Sequence, residues 1–271
     1  LHLFNKHWLV GFFVLDLMLT AVIAGSYYND HLVRTGRPSM IKAITTFFSS
    51  TESDLQQTGE KVVRVTDRPK ESTTHVLIQA PQISQNPELP RGCEVTALAM
   101  MLEQAGVKTN KMELAEKLKK VPYKQKGHYG NPEEGFVGSM YQMDSPGYGV
   151  YHQPLADLAQ KFLPFRIEDL TGKPFSAVSD SVDDGRPVVV IINVTFKPLP
   201  DSDFETWHTD SGSVRITHLE HAVLITGFDR NTVYFNDPLG SKNEQANRQD
   251  FIQAWKQMGG QAISYTRFPI L

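Results

Sequence analysis

Three residues of this chain have the types and setting for nucleophilic chemistry: Cys93, His221 and Asp237. The stretch "SQNPELPRGCEV" holds the only cysteine in 271 residues. A single thiol rules out an internal disulfide and a multi-thiolate zinc site. Cys93 follows Gly92 and opens the run "CEVTALAMMLEQAG". At a helix start, free backbone N–H groups and the positive end of the macrodipole favour a thiolate. Such a position can bring a thiol pKa from about 8.5 into the range of roughly 3.5–7.5. Gly92 is expected to let the backbone approach closely and to leave room for a substrate. A structural cysteine would sit mid-helix on the Val95, Leu98 and Leu102 face. Cys93 lies about 200° round the helix from Val95.

A nucleophilic thiol needs a base, and the base needs a group to orient it. Of nine histidines, His2, His7 and His31 precede the folded part and His75 stands at its edge. His128 and His152 flank a segment rich in Gly and Tyr, which leaves His208, His218 and His221. His221 opens the apolar run "HAVLITGF", and "VYFNDPLG" ends the next run with Asp237 before Pro238. A three-residue loop of Asp229, Arg230 and Asn231 pairs Phe228 with Thr232 and sets Val223 opposite Asp237. His221 shares a face with Val223, so His221 and Asp237 become diagonal neighbours, about 7–8 Å apart at the backbone. A two-residue loop would turn Asp237 to the other face. Asn231 tolerates the left-handed conformation that the longer loop uses. In "HLEH", His218 and His221 stand three apart on β-like chain and face opposite ways. No HExxH pattern occurs either, so no metal and no cofactor are expected.

The elements that must hold these residues follow from periodicity. "HVLIQAPQI" reads as a short strand. The run from Cys93 reads as a helix with Val95, Leu98, Leu102 and Ala105 on one face, closed by Gly106. "NKMELAEKLKKVP" is a second helix, capped by Asn110 with Glu113 three residues on, and stopped by Pro122. Residues 123–151 show no sustained period and read as a long loop region. "QPLADLAQKF" is a third helix and "RPVVVIINVTF" a buried strand. "HAVLITGF" and "TVYFN" form a hairpin, and "QDFIQAWKQMG" is a late helix. Helices come first and strands later, which is an α+β layout rather than alternating units.

Residues 75–271 make one domain of ordinary size, with 40% apolar and 21% charged residues overall, enough to fill a core. A net charge of −3 without basic clusters excludes a nucleic-acid partner. Residues 8–25, "WLVGFFVLDLMLTAVIAG", are long and apolar enough for a membrane anchor. They also fit a secretory signal with small residues before a cut after Ala24. Residues 26–74 read as a polar linker. The domain is thus expected outside the cell, secreted or tethered to the outer face of the cytoplasmic membrane.

Several blocks resemble the C39-like family of cysteine peptidases: "IQAPQISQNPELPRGCEVTALAMML", "NPEEGFVGSMY", "GYGVYHQPLADLA", "GRPVVVI", "EHAVLITGFD", "VYFNDPLG" and "AWKQMGGQAI". The resemblance implies a papain-like fold, with a nucleophile helix packed on an antiparallel sheet. It also implies hydrolysis of a peptide or protein substrate. Cys93 would attack the acyl carbon, His221 would move the proton and Asp237 would hold the imidazole. Gln85 resembles the family's oxyanion donor. Seven residues separate it from Cys93, and Gln82 and Asn86 are the alternatives. No GxxxxGK[ST] loop and no multi-span membrane region occurs, which distinguishes the chain from peptidase-bearing exporters. An amidase acting on cell-wall peptides would use the same three residues. A binding domain that keeps the fold without catalysis would not need them.

Overall fold

The computed structural model describes residues 76–269. The expected signal or anchor and the linker lie outside the described residues. Among the described residues, no helix is long and apolar enough to cross a membrane. The first half of the domain contains β1 (Val76–Leu77), α1 (Cys93–Gln104), α2 (Lys111–Lys117), β2 (Lys120–Val121), β3 (Lys124–Gln125), β4 (His128–Tyr129), β5 (Phe136–Val137) and α3 (His152–Phe162). The second half continues with β6 (Ile167–Asp169), α4 (Phe175–Asp183), β7 (Val188–Asn193), β8 (Glu205–Thr209), β9 (Gly212–Ile216), β10 (Glu220–Phe228), β11 (Thr232–Asn236), β12 (Glu244–Asn247), α5 (Arg248–Gln257) and β13 (Ala262–Tyr265).

The main sheet runs β12-β11-β10-β7-β13-β6, with β1 added on β10. Its pairs are all antiparallel. The order explains the composition of the two central strands. β7, "VVVIIN", is buried at every position, and β10 is buried from His221 onward. Both faces of this region are therefore covered, and near-continuous β-branched runs replace the alternation of a half-exposed sheet. α1 packs against β10 and β7, and also touches α2 and α3. On another side, Phe251 of α5 lies near Phe235 of β11 and Phe196.

The fold is α+β, as expected, with three local differences. α1 is buried all round from Cys93 to Leu102 rather than along one stripe, because strands and helices surround it. Asn110 caps α2 by accepting from the N–H groups of Met112 and Glu113. Glu113 takes the Thr109 hydroxyl instead of closing a reciprocal box, and the helix ends before Pro122, giving way to β2. Residues 123–151 carry three two-residue strands and pack as an aromatic cluster. Trp207 of β8 stacks on Tyr129 at 4.3 Å between ring centres and meets Tyr123 and Tyr148 at 5.5 and 5.1 Å. Aromatic pairs at these separations add stability beyond the area they bury and tie the segment to β8.

The hairpin of β10 and β11 sets the site. Phe228 pairs with Val233 and Gly227 with Tyr234, so the connection is one residue longer than the three expected. A bulge at Thr226 then shifts the register, and Leu224 pairs with Asn236. The next step places Val223 opposite Asp237, the arrangement expected from a three-residue loop. A bulge absorbs one extra residue on one strand, and here it cancels the longer turn.

Candidate active site

His221 Nε2 and Asp237 Oδ1 lie 2.8 Å apart, with both residues buried. Burial alone would raise the Asp237 pKa. The hydrogen bond and charge of His221, with the backbone N–H groups of Leu239 and Gly240, outweigh it and hold the carboxyl below the usual carboxylate range. An ionised Asp237 requires the proton on Nε2, which leaves the Nδ1 lone pair as the basic position of a neutral ring. Phe196 lies 6.1 Å from the imidazole, ring centre to ring centre. The chain leading to Cys93 is tied to the same corner. Gln82 Nε2 donates to the Asp237 carbonyl at 2.7 Å, and the Gln85 backbone N–H donates to Pro238 O at 2.9 Å.

Cys93 opens α1, as the sequence indicates, with Gly92 as the preceding cap residue. Gly92 supplies no capping side chain, so the first N–H groups of α1 keep no side-chain cap. A Cβ on Gly92 would stand 2.5 Å from Leu89 Cβ, so the glycine admits the close approach of a packed leucine.

The thiol itself is the larger correction. Cys93 is buried and its pKa is pushed well above the ordinary thiol range, not lowered. Burial is the largest cause, followed by the negative charges of Glu94 and Glu220 and the hydrogen bond to Glu94. The Ala222 N–H opposes these, favouring the thiolate. A helix terminus acts on a charge it faces; here burial, with Glu94 and Glu220 beside the sulfur, outweighs it. The Sγ–H donates to Glu94 Oε2 at 3.3 Å. The structure thus brings His221 and Asp237 into direct contact. It brings the sulfur to Ala222, the residue after His221, with its hydrogen bond committed to Glu94.

Glu94 and Glu220 were not singled out as functional by the sequence. Glu94 Oε1 accepts the Val150 N–H at 2.7 Å, and burial raises its pKa to about 7. Burial, then the Glu94 charge, pushes Glu220 well above the carboxylate range. Gly149 makes the pairing sterically feasible, since a Cβ there would stand 2.6 Å from Glu94 Oε1 and 2.8 Å from Glu220 Oε2. The one available signal was an acid inside the otherwise apolar "CEVTALAMML". Its partner, 126 residues on, carried none.

Gln85 is buried, its Nε2 donates to Pro90 O at 2.9 Å, and its Oε1 is shielded without a partner. The amide has two hydrogens, and only one is used here. Of the alternatives, Gln82 has its amide on the Asp237 carbonyl, and Asn86 is exposed. His218 pairs with Glu205 at the surface at 2.9 Å, apart from the buried His221.

The sequence profile of the Peptidase_C39 like family matches residues 77–263. The uncharacterized protein YvpB of Bacillus subtilis (strain 168) is 39% identical over 216 residues, covering 79% of this chain and 82% of that one. A crystal structure from Bacillus anthracis, of a protein provisionally named a C39-like peptidase, superposes with a TM-score of 0.72 at 49% identity. It covers 73% of this chain and 100% of its own.

Proposed function

This chain belongs to the Peptidase_C39 like family, and from that membership we propose that it is a cysteine peptidase in which Cys93, His221 and Asp237 carry the reaction. The observation that supports this most is the buried 2.8 Å contact of His221 with Asp237, beside a helix that begins with the only thiol in the chain. In this reading the Cys93 proton passes to His221 Nδ1 as the sulfur attacks the carbonyl carbon. Asp237 holds the ring by Nε2 and stabilises the imidazolium that forms. The oxyanion lies against the Cys93 N–H, with the second amide hydrogen of Gln85 as the other donor. The imidazolium returns its proton to the leaving amine, and water hydrolyses the thioester with His221 again as base.

The apolar run of residues 8–25 supports an exported enzyme, secreted or tethered to the outer face of the cytoplasmic membrane, with proteins or peptides of that compartment as substrates. A second reading, a binding domain without turnover, is favoured by one observation, the commitment of the thiol to Glu94. Incubating the folded domain with a peptide library and with cell-wall peptides, beside Cys93→Ala and His221→Ala proteins, decides between them. Cleavage by the wild type alone supports the peptidase. Equal cleavage by all three, or none by any, refutes it.

A further inference from the structure

We propose that Glu94 is a positioning residue that holds the Cys93 thiol in its neutral form, turned from His221, and that Glu220 beside it keeps its own proton. The inference rests on the reading of Cys93 as nucleophile and concerns its resting state. Strand geometry sends successive side chains to opposite sides. On β10, His221 therefore goes with Asp237 and Phe196, while Glu220 goes with Glu94 and Gly149. The thiol lies at the boundary of these two groups. It touches the Ala222 N–H, yet gives its hydrogen to Glu94 Oε2 at 3.3 Å. Atoms of Cys93, Glu94 and Glu220 all lie within 4.8 Å of one another.

Two carboxylates this close in a buried site cannot both be ionised at neutral pH. At least one of them therefore keeps its proton, and another stays on the sulfur. Glu94 is fixed in this role by the Val150 N–H at 2.7 Å. Glu220 Oε1 is shielded from solvent and has no donor, the condition of a carboxyl group that keeps its proton. The other titratable groups facing the pair are the phenols of Tyr148 and Tyr151, both held neutral mainly by burial. His221 and Asp237 face away across the strand. To attack, the sulfur must leave Glu94 and give its proton to the imidazole.

The rate at which iodoacetamide alkylates Cys93, followed by mass spectrometry from pH 5 to 10, tests this without any substrate. Glu94→Gln keeps an acceptor for the Val150 N–H and points an N–H, not a carboxylate, at the sulfur. Its alkylation rate at pH 7 is expected to rise about tenfold or more, with the profile moved to lower pH. Glu220→Gln moves the profile the same way by less, because it acts through space. Profiles of both variants that superimpose on the wild type overturn the proposal. If circular dichroism shows that Glu94→Gln has not folded, the Glu220→Gln profile alone decides. Shifted alkylation with no peptide cleavage would sink the peptidase reading and leave this inference standing.

Discussion

His221 and Asp237, sixteen residues apart, meet at 2.8 Å because a turn and a bulge cancel. The turn between β10 and β11 is one residue longer than a three-residue loop, which by itself would move Asp237 to the far face of the sheet. Thr226 is the bulged residue that restores the face. The contact therefore depends on the middle of β10 as much as on its ends, and the consequences can be measured.

Asp237→Asn keeps the shape of the side chain but removes the charge that fixes the proton on Nε2. Cleavage of a susceptible peptide is expected to slow by about 10²–10⁴-fold in kcat, with KM little changed. A variant as active as the wild type would show that the imidazole needs no orienting charge.

Gly227 follows the bulge, and a Cβ on it would stand 2.1 Å from the Val76 carbonyl oxygen. Backbone must move to admit it. Gly227→Ala is expected to lose about 1–3 kcal/mol of stability in urea unfolding and to lower activity as the register at Asp237 loosens. Full stability in this variant would argue against the β1 pairing.

Glu94 has a folded pKa of about 7, raised from 4.5 by burial. A raised folded pKa means that protonation favours the native state. The stabilisation is complete below the unfolded value and is lost as pH rises through the folded one, a change of roughly 3 kcal/mol for this shift. Glu220 acts in the same direction. The wild-type melting temperature should therefore fall from about pH 4.5 to 7, and Glu94→Gln should flatten that slope. Equal slopes in the two proteins would contradict a burial-raised Glu94.

Trp207 is 2% exposed and is the ring on which Tyr123, Tyr129 and Tyr148 converge. Trp207→Ala should cost about 3–5 kcal/mol and should free residues 123–151 to exchange amide hydrogens faster. Protection unchanged in that segment would mean that its short strands, not the aromatic cluster, hold it.

Local patterns were legible where they had short-range causes. The start of α1 at Cys93, the Asn110 cap and the positive φ of Gly106 at the end of α1 each follow from neighbours within four residues. β6, α4 and the β8–β9 hairpin were not anticipated. "IED" lacks the β-branched run of a strand, and "FSAVSDSVD" has too few large apolar residues to mark a helix. Each is held in place by its partner in the sheet or by the strands it packs on. The register was anticipated correctly from a turn of the wrong length, since alternation reports the face of a residue and not how the chain reaches it.

By itself the sequence determined that a helix opens on the single thiol and that His221 and Asp237 share a strand face, because capping, helical period and β alternation act over a few residues. Tertiary structure alone decided the state of the sulfur. The charge a thiol can bear depends on what surrounds it, and here the surroundings are Glu220, Gly149 and a dry interior assembled from distant parts of the chain.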